Sequence, residues 1–357
     1  MPAYQDTTIA RRIAAWFEAN ARELPWRAAP RDPYHALVSE AMLQQTQVSR
    51  VVEKYGEFLR RFPTVEALAR AGEHDVLAAW SGLGYYRRAR HLHAAAKAIV
   101  ERHGGRLPRD VRSLRALPGV GRYTAGAIAS MVFNDAAPIV DGNVMRVLLR
   151  VHGRDTPQDS SETIAWAWER AEALVKRAHR RGEASRFNEG LMELGATVCA
   201  PVSPKCAQCP LQRGCKARLE GRQEEIPRPK ARAKRREIHH SAVVVRDGAG
   251  RLLVERRPEA GMWAGMWQAP TLEREAGPAK ARELAALVGA GSVRKVGGFV
   301  HQTTHRVVYF EVWTPGGAPD AAAGAGRRWL SPKAVSELAL ASPHRRILLG
   351  AGVAAPV

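Results

Sequence analysis

The sequence predicts a mainly α N-terminal half followed by a smaller α+β domain, and three observations carry that expectation. Apolar residues recur at spacings of three and four from the N-terminus to about Leu219. A Pro-containing, basic stretch over 221–237 then interrupts the periodicity. Beyond it, short apolar runs separated by Gly-containing turns take over, which is the pattern of strands. At 357 residues and 45% hydrophobic content, the chain is long enough to bury two or three cores.

Taken in order, Ile9, Ile13, Trp16 and Phe17 open the first amphipathic helix. Val48, Val51, Val52, Tyr55, Phe58, Leu59 and Phe62 trace a cleaner one. Further helices are expected over 65–80, 87–103, 123–133, 144–152, 161–181 and 187–196, and no strand is expected in this half. The stretch 221–237 holds Pro227, Pro229 and the basic residues Arg222, Arg228, Lys230, Arg232, Lys234, Arg235 and Arg236, with Ile226 as its large apolar residue. It reads as an extended, exposed linker. After it, 242–245 and 252–255 flank Asp247-Gly248-Ala249-Gly250, a hairpin signal. Residues 307–313 give another β-rich run, and a helix is expected over 279–288. The expected division is therefore 1–220, a linker 221–237, and 238–357.

The net charge is +20, and Arg pairs recur along the chain (Arg60-Arg61, Arg87-Arg88, Arg180-Arg181). A basic excess spread this widely favours a polyanion partner, nucleic acid above all. No apolar run approaches the roughly 18 residues of a membrane span. Met1 is followed by a mixed polar stretch, with no apolar signal core. A cytoplasmic, nucleoid-associated monomer is expected.

All four cysteines fall in one pattern, C-x6-C-x2-C-x5-C, at Cys199, Cys206, Cys209 and Cys215. Four thiolates suit a [4Fe–4S] cluster or a zinc ion, and the long outer spacings favour the cluster. Disulfides are the third reading, and nothing marks the chain as secreted.

Leu117-Pro118-Gly119-Val120-Gly121 lies between helical stretches. Gly119 and Gly121 let the backbone turn sharply, and a helix starting near Arg122 would aim its free amides at a phosphate. With the basic charge, this reads as a helix-hairpin-helix. Asp141-Gly142-Asn143 opens the helix near Val144, so Asp141 is an N-cap, a carboxylate presented to a cleft, or both. Glu40 is read at the start of a helix with Ser39 as its cap, next to the amides Gln44, Gln45 and Gln47. In that place the helix dipole would lower its pKa, whereas a general acid needs it raised.

Together these segments, with Gly82-Leu83-Gly84-Tyr85-Tyr86 and Val140-Asp141-Gly142-Asn143-Val144, closely resemble the helix-hairpin-helix DNA glycosylases, and among them the MutY-type adenine DNA glycosylases. The resemblance implies removal of adenine mispaired with 8-oxoguanine or guanine in double-stranded DNA, with a [4Fe–4S] cluster on the four cysteines. It assigns Glu40 as the proton donor, Asp141 as the anion beside the cationic sugar, and Asn143 as its orienting neighbour. Endonuclease III-type relatives carry a lysine where this chain has Tyr123, which implies base removal without strand cleavage. Trp26, Arg27 and Glu189 take the adenine-reading places, and Gln45 and Tyr85 those that enter the duplex. Gly261-Met262-Trp263-Ala264-Gly265 resembles the entry to a Nudix-like domain. The paired acids of a Nudix hydrolase are replaced by Arg282-Glu283-Leu284-Ala285-Ala286-Leu287, which implies a reader in place of a hydrolase. Thr304 and His305 occupy the lesion-contacting places, with Thr303 replacing the family's aromatic. Two alternatives stay open: a thymine or pyrimidine mismatch glycosylase on the same scaffold, and a non-catalytic iron–sulfur regulator that binds DNA.

Overall fold

Asp6–Asn20 forms the first helix (α1) because Ile9, Ala10, Ile13, Ala14 and Phe17 share one face and are buried there. The computed structural model describes residues 5–228, 235–317, 324 and 326–350. Its chain falls into two compact units, Met1–Arg70 with Arg87–Ala231, and Ala71–Tyr86 with Arg232–Val357.

In the first unit α1 is followed by α2 (Pro33–Leu43), α3 (Val48–Arg61) and α4 (Val65–Arg70). The start of α2 corrects the sequence reading. Asp32 is the N-cap, its side chain accepting from the His35 amide at 2.9 Å, and Pro33 takes the first helical position. Glu40 therefore sits in the last turns of α2, and Ser39 donates to the Ala36 carbonyl within the helix instead of capping it. The single helix expected over 65–80 is two, with Gly72 in extended conformation as the N-cap of the second. Its second half, α5 (Glu73–Ala79), clusters with the other unit.

α6 (Arg87–His103) leads to α7 (Val111–Arg115) and α8 (Arg122–Phe133), and the last two form the expected helix-hairpin-helix. Gly119 in their connection has φ +74°, and a Cβ there would lie 2.4 Å from the His91 Cβ, so the turn admits only glycine. α9 (Gly142–His152), α10 (Ser161–His179) and α11 (Ala184–Thr197) complete the bundle, with short α12 (Lys216–Leu219) after the cysteine loop. α1 packs on α10 and α11, and α11 packs on α8 and α9. Ile13, Val144, Leu148, Leu174, Phe187 and Leu191 share the resulting core.

The proposed linker is in part packed. Ile226 is fully buried in this core, Arg150 Nε donates to its carbonyl at 2.7 Å, and Arg222 and Arg228 both pair with Asp155. An apolar residue inside a basic stretch marked the anchor. Residues 229–234, with Pro229, Lys230, Arg232 and Lys234, lie outside the described residues.

In the second unit β1 (Arg236–Val243), β2 (Leu252–Arg256), β3 (Trp267–Gln268), β4 (Thr271–Arg274), β5 (Val293–Gln302), β6 (Arg306–Pro315) and β7 (Arg327–Leu330) build two sheets. Their orders are β4-β1-β6-β5 and β3-β2-β7, with β1 and β6 parallel. The 247–250 turn exists, with the Leu253 amide bonded to the Val245 carbonyl. It is not a plain hairpin, however, since β1 and β2 enter different sheets. α13 (Ala281–Leu287), α14 (Pro332–Ser336) and α15 (Ser342–Leu349) cover them, giving one core around Val254, Phe310 and Ile347 and another around Val243, Leu253 and Leu284. Glu283 of α13 accepts from the Lys280 amide and from Arg274, so its carboxylate serves as a cap.

Candidate active site

Four of the helices aim polar side chains into one cavity of about 530 Å³ in the first unit. α2 contributes Glu40, α8 Tyr123, the head of α9 Asp141 and Asn143, and α11 Glu189 and Glu193. The turn Pro25–Arg27 and the loop after it add Trp26, Arg27 and Arg31. The residues singled out in the sequence for catalysis and for base reading in this unit thus line a single wall-to-wall site.

Glu40 is 7% exposed, and its Oε2 is buried without a hydrogen-bond partner among the described residues. Burial raises its pKa to about 7, and the negative charges of Asp141 and Glu189 push the same way against the nearby Tyr123 hydroxyl and the charge of Arg31. The tension raised by the sequence is thereby removed. Near the C-terminal end of α2 the helix dipole also favours the neutral acid.

Asp141 is both cap and cavity residue. Its Oδ1 accepts from the Val144 amide at 2.7 Å, and its Oδ2 accepts from Asn143 Nδ2 at 3.0 Å. Burial raises its pKa, opposed by those bonds and by the positive charge of Arg146. It therefore has support for the ionised form that Glu40 lacks. Tyr123 donates to Met192 Sδ at 3.0 Å and keeps its proton, held there by burial and by the charges of Glu40 and Asp141.

Glu189 is buried and pairs with Arg27 at 3.2 Å and Arg31 at 2.7 Å. Trp26 meets Tyr55 edge-on at 5.6 Å. Gln45 is exposed with φ +56°, held out by a bend that Arg88 fastens through the Ala41, Met42 and Gln44 carbonyls and Thr46 Oγ1. Arg122 at the head of α8 is exposed but lies over the Trp168 ring at 3.9 Å, and Gly121 leaves open space beside it.

In the second unit Tyr85 is 43% exposed with φ +48°, and its hydroxyl bonds to that of Thr304. Thr304 and His305 stand exposed in the β5–β6 turn. Thr303 closes that turn, its hydroxyl accepting from the Arg306 amide at 3.0 Å, so it has a local structural task in place of stacking.

The four cysteines converge on one small cavity, none in a disulfide. Cys209 Sγ accepts from the Leu211 amide and Cys199 Sγ from Arg150, each at 3.4 Å. Burial and neighbouring thiols push Cys206, Cys209 and Cys215 up, Cys209 to about 12. Among the described residues, no three His, Cys, Asp or Glu groups sit close enough to grip a single metal ion.

Sequence reasoning passed over Arg146. Buried on α9, it donates to the Cys199 carbonyl at 2.7 Å, the Gly195 carbonyl at 2.7 Å and Asn143 Oδ1 at 2.9 Å, joining the cysteine loop to the Asp141 cap. Its one legible signal was the helical spacing from Gly142 to Arg146 to Arg150. Arg88, Arg31 and Glu193 were missed for the same reason: each acts across long sequence distances.

Residues 38–173 match the HhH-GPD superfamily of base excision DNA repair proteins, and residues 241–350 match a NUDIX domain. The chain is 33% identical over 398 residues to the adenine DNA glycosylase of Homo sapiens, covering 94% of this chain and 72% of that protein. It is 43% identical over 206 residues to the adenine DNA glycosylase of Mycobacterium tuberculosis, covering 56% and 64%. Among solved structures it resembles a thermostable thymine-DNA glycosylase, with TM-score 0.54 and 30% identity, over 60% of this chain and 97% of that one. An endonuclease III bound to DNA shares the fold, with TM-score 0.50 and 22% identity over 61% of this chain and 98% of that one.

Fold and site thus define a DNA glycosylase of the helix-hairpin-helix base excision repair class, a hydrolase of N-glycosyl bonds, followed by a Nudix-like domain. Within that class, the chain belongs to the adenine DNA glycosylase family.

Proposed function

We propose that this protein excises adenine paired with 8-oxoguanine or guanine in duplex DNA by hydrolysing the N-glycosidic bond, and leaves the strand uncut. The observation that carries the proposal is the pairing of Glu40, neutral up to about pH 7, with the hydrogen-bonded Asp141 in one cavity of about 530 Å³, roomy enough for an extruded nucleotide. Breaking a glycosidic bond through an oxocarbenium-like transition state calls for one acid and one anion. Adenine leaves the stack, at a cost of a few kcal/mol, and enters this cavity.

Glu40 gives its proton to adenine N7, and the electron pair of the C1′–N9 bond departs with the base. The Asp141 carboxylate, fixed by Val144 and Asn143, stabilises the sugar cation left behind. Water then adds to C1′, with Glu40, now ionised, accepting its proton. Tyr123 has no amine to attack the sugar, so no Schiff base forms and the abasic strand persists.

Glu189, paired with Arg27 and Arg31, supports reading of the adenine amine, with Trp26 against the base. The projecting Gln45 supports a role on the duplex at the lesion pair. Tyr85, Thr304 and His305 support reading of the opposite base, and the Gly119–Gly121 turn with Arg122 supports a grip on the phosphates. The cysteine loop fits a [4Fe–4S] cluster held by Cys199, Cys206, Cys209 and Cys215. The single short pair Cys206–Cys209 and the longer outer spacings support the cluster over a structural zinc, which usually draws on two short cysteine pairs. When bound, the cluster would staple the loop beside α9.

A thymine mismatch glycosylase remains the second reading, favoured by the structural likeness to the thermostable thymine-DNA glycosylase. Duplexes carrying A opposite 8-oxoguanine, A opposite G, and T opposite G separate the two. The first two should lose adenine and yield a strand that breaks only after alkali. Preferential loss of thymine, or a borohydride-trapped covalent adduct, would contradict the proposal.

A further inference from the structure

Glu193 lines the same cavity but has no part in the chemistry described above. It is 1% exposed and stands one helical turn beyond Glu189 on α11, so two buried carboxylates share one face. Left alone, that pair would repel. Three arginines from the N-terminal segment interleave with it instead. Arg22 reaches Glu193 through its Nε at 2.5 Å and Nη2 at 2.9 Å. Arg27 spans both acids, with Nη2 2.9 Å from Glu193 and Nε 3.2 Å from Glu189. Arg31 closes the row on Glu189 at 2.7 Å.

Arg27 is fixed on every side. Its Nη1 donates to the Arg22 carbonyl at 3.1 Å, and its guanidinium lies 5.0 Å from the centre of the Phe17 ring. Glu193 is the anchor of this arrangement, since it also accepts from the Arg22 backbone amide at 3.3 Å. A buried ion pair is weak evidence for stability, and a planar guanidinium held at both ends is a precise positioning device.

We propose that Glu193 is a positioning residue that sets base specificity. By fixing Arg27 it holds Glu189 as an acceptor aimed at the exocyclic amine of a 6-aminopurine, and so favours bases that carry that amine. The inference rests on the adenine-excision reading. If Glu193 loses its charge, Arg27 is free to turn both nitrogens onto Glu189 and occupy the lone pairs that would meet the amine.

The test compares single-turnover release of adenine and of unsubstituted purine, each opposite guanine, by the wild-type protein and by Glu193→Gln. Purine lacks the 6-amine, so the ratio of the two rates isolates its recognition. Glu193→Gln should slow adenine release about tenfold while purine release changes less than twofold. Equal slowing of both bases would mark Glu193 as merely structural and overturn the proposal, as would an unchanged ratio. Arg22→Gln, at a half-exposed position, keeps the test open should Glu193→Gln fold poorly: it should lower the same ratio severalfold, and an unchanged ratio would again count against the proposal. Failure of the wild-type protein to release adenine at all would instead defeat the underlying reading of function.

Discussion

At the scale of single residues, the site is built on a conflict between stability and chemistry. Glu40 is held in a place that opposes its charge, with a pKa raised from 4.5 to about 7. The folded state therefore binds more protons than the unfolded chain between those values, and stability falls as pH rises through that window. Above pH 7 the destabilisation is on the order of 3 kcal/mol. Glu40→Gln, which removes the charge and keeps the shape, should raise the melting temperature by several degrees at pH 8 and leave it nearly unchanged at pH 4. Thermal unfolding at the two pH values measures this, and an equal effect at both would contradict the assigned burial. The identities of Glu40, Asp141 and Tyr123 were legible because each sits in a distinctive local motif. Their electrostatics were not, because the fields of Glu189, Arg31 and Arg146 arrive from segments far away in the chain.

At the scale of elements, the long amphipathic helices were legible and the short or apolar ones were not. α3 alternates its faces cleanly and was placed within a residue, whereas α2 is apolar on several sides and shows no clear face. The Asp32-Pro33 start signal was the legible clue to α2, and missing it put Glu40 at the wrong end of its helix. β7 escaped notice because its partner β2 lies far away in the chain, and β5 because Gly297 and Gly298 interrupt its run although β6 follows it directly. The end of α2 also yields a prediction. Arg88 satisfies the Ala41, Met42 and Gln44 carbonyls at the bend that projects Gln45. Arg88→Met leaves those acceptors without their donor, costing roughly 1–3 kcal/mol. It should lower the melting temperature and weaken binding to a mispaired duplex severalfold. Unchanged melting and unchanged affinity would show that the bend holds without it.

At the scale of the whole molecule, two textures of sequence became two units, as their periodicities required, while the division between them departs from the boundary drawn on composition. Residues 71–86 cluster with the C-terminal strands, and the basic stretch begins packed by Ile226. The C-terminal unit carries its own pH dependence. His240 and His344 are fully buried with ring centroids 6.0 Å apart, faced by Trp263, Phe310 and His301, with Glu273 3.2 Å from His240 and Arg257 paired to Glu273. Burial, with the charges of His240 and Arg257, holds His344 well below the ordinary 6.5. The unfolded chain therefore binds a proton that the folded unit refuses, and stability falls as pH drops below 6.5, by up to about 1.4 kcal/mol per pH unit. Lowering the pH from 7 to 5.5 should shift the denaturant midpoint further toward lower stability in the wild-type protein than in His344→Leu, in which that loss is absent. An equal shift in both would place the acid sensitivity elsewhere.

The central claim is that a buried, protonated Glu40 releases the base, and the pH dependence of single-turnover adenine release tests it most directly. With an 8-oxoguanine-opposed substrate, the wild-type rate should fall as pH rises through about 7, where Glu40 loses its proton. Glu40→Gln should bind the duplex as well but release adenine about 10²–10⁴-fold more slowly at pH 6, without that fall. A Glu40→Gln protein with the wild-type rate and the wild-type pH profile would contradict the account.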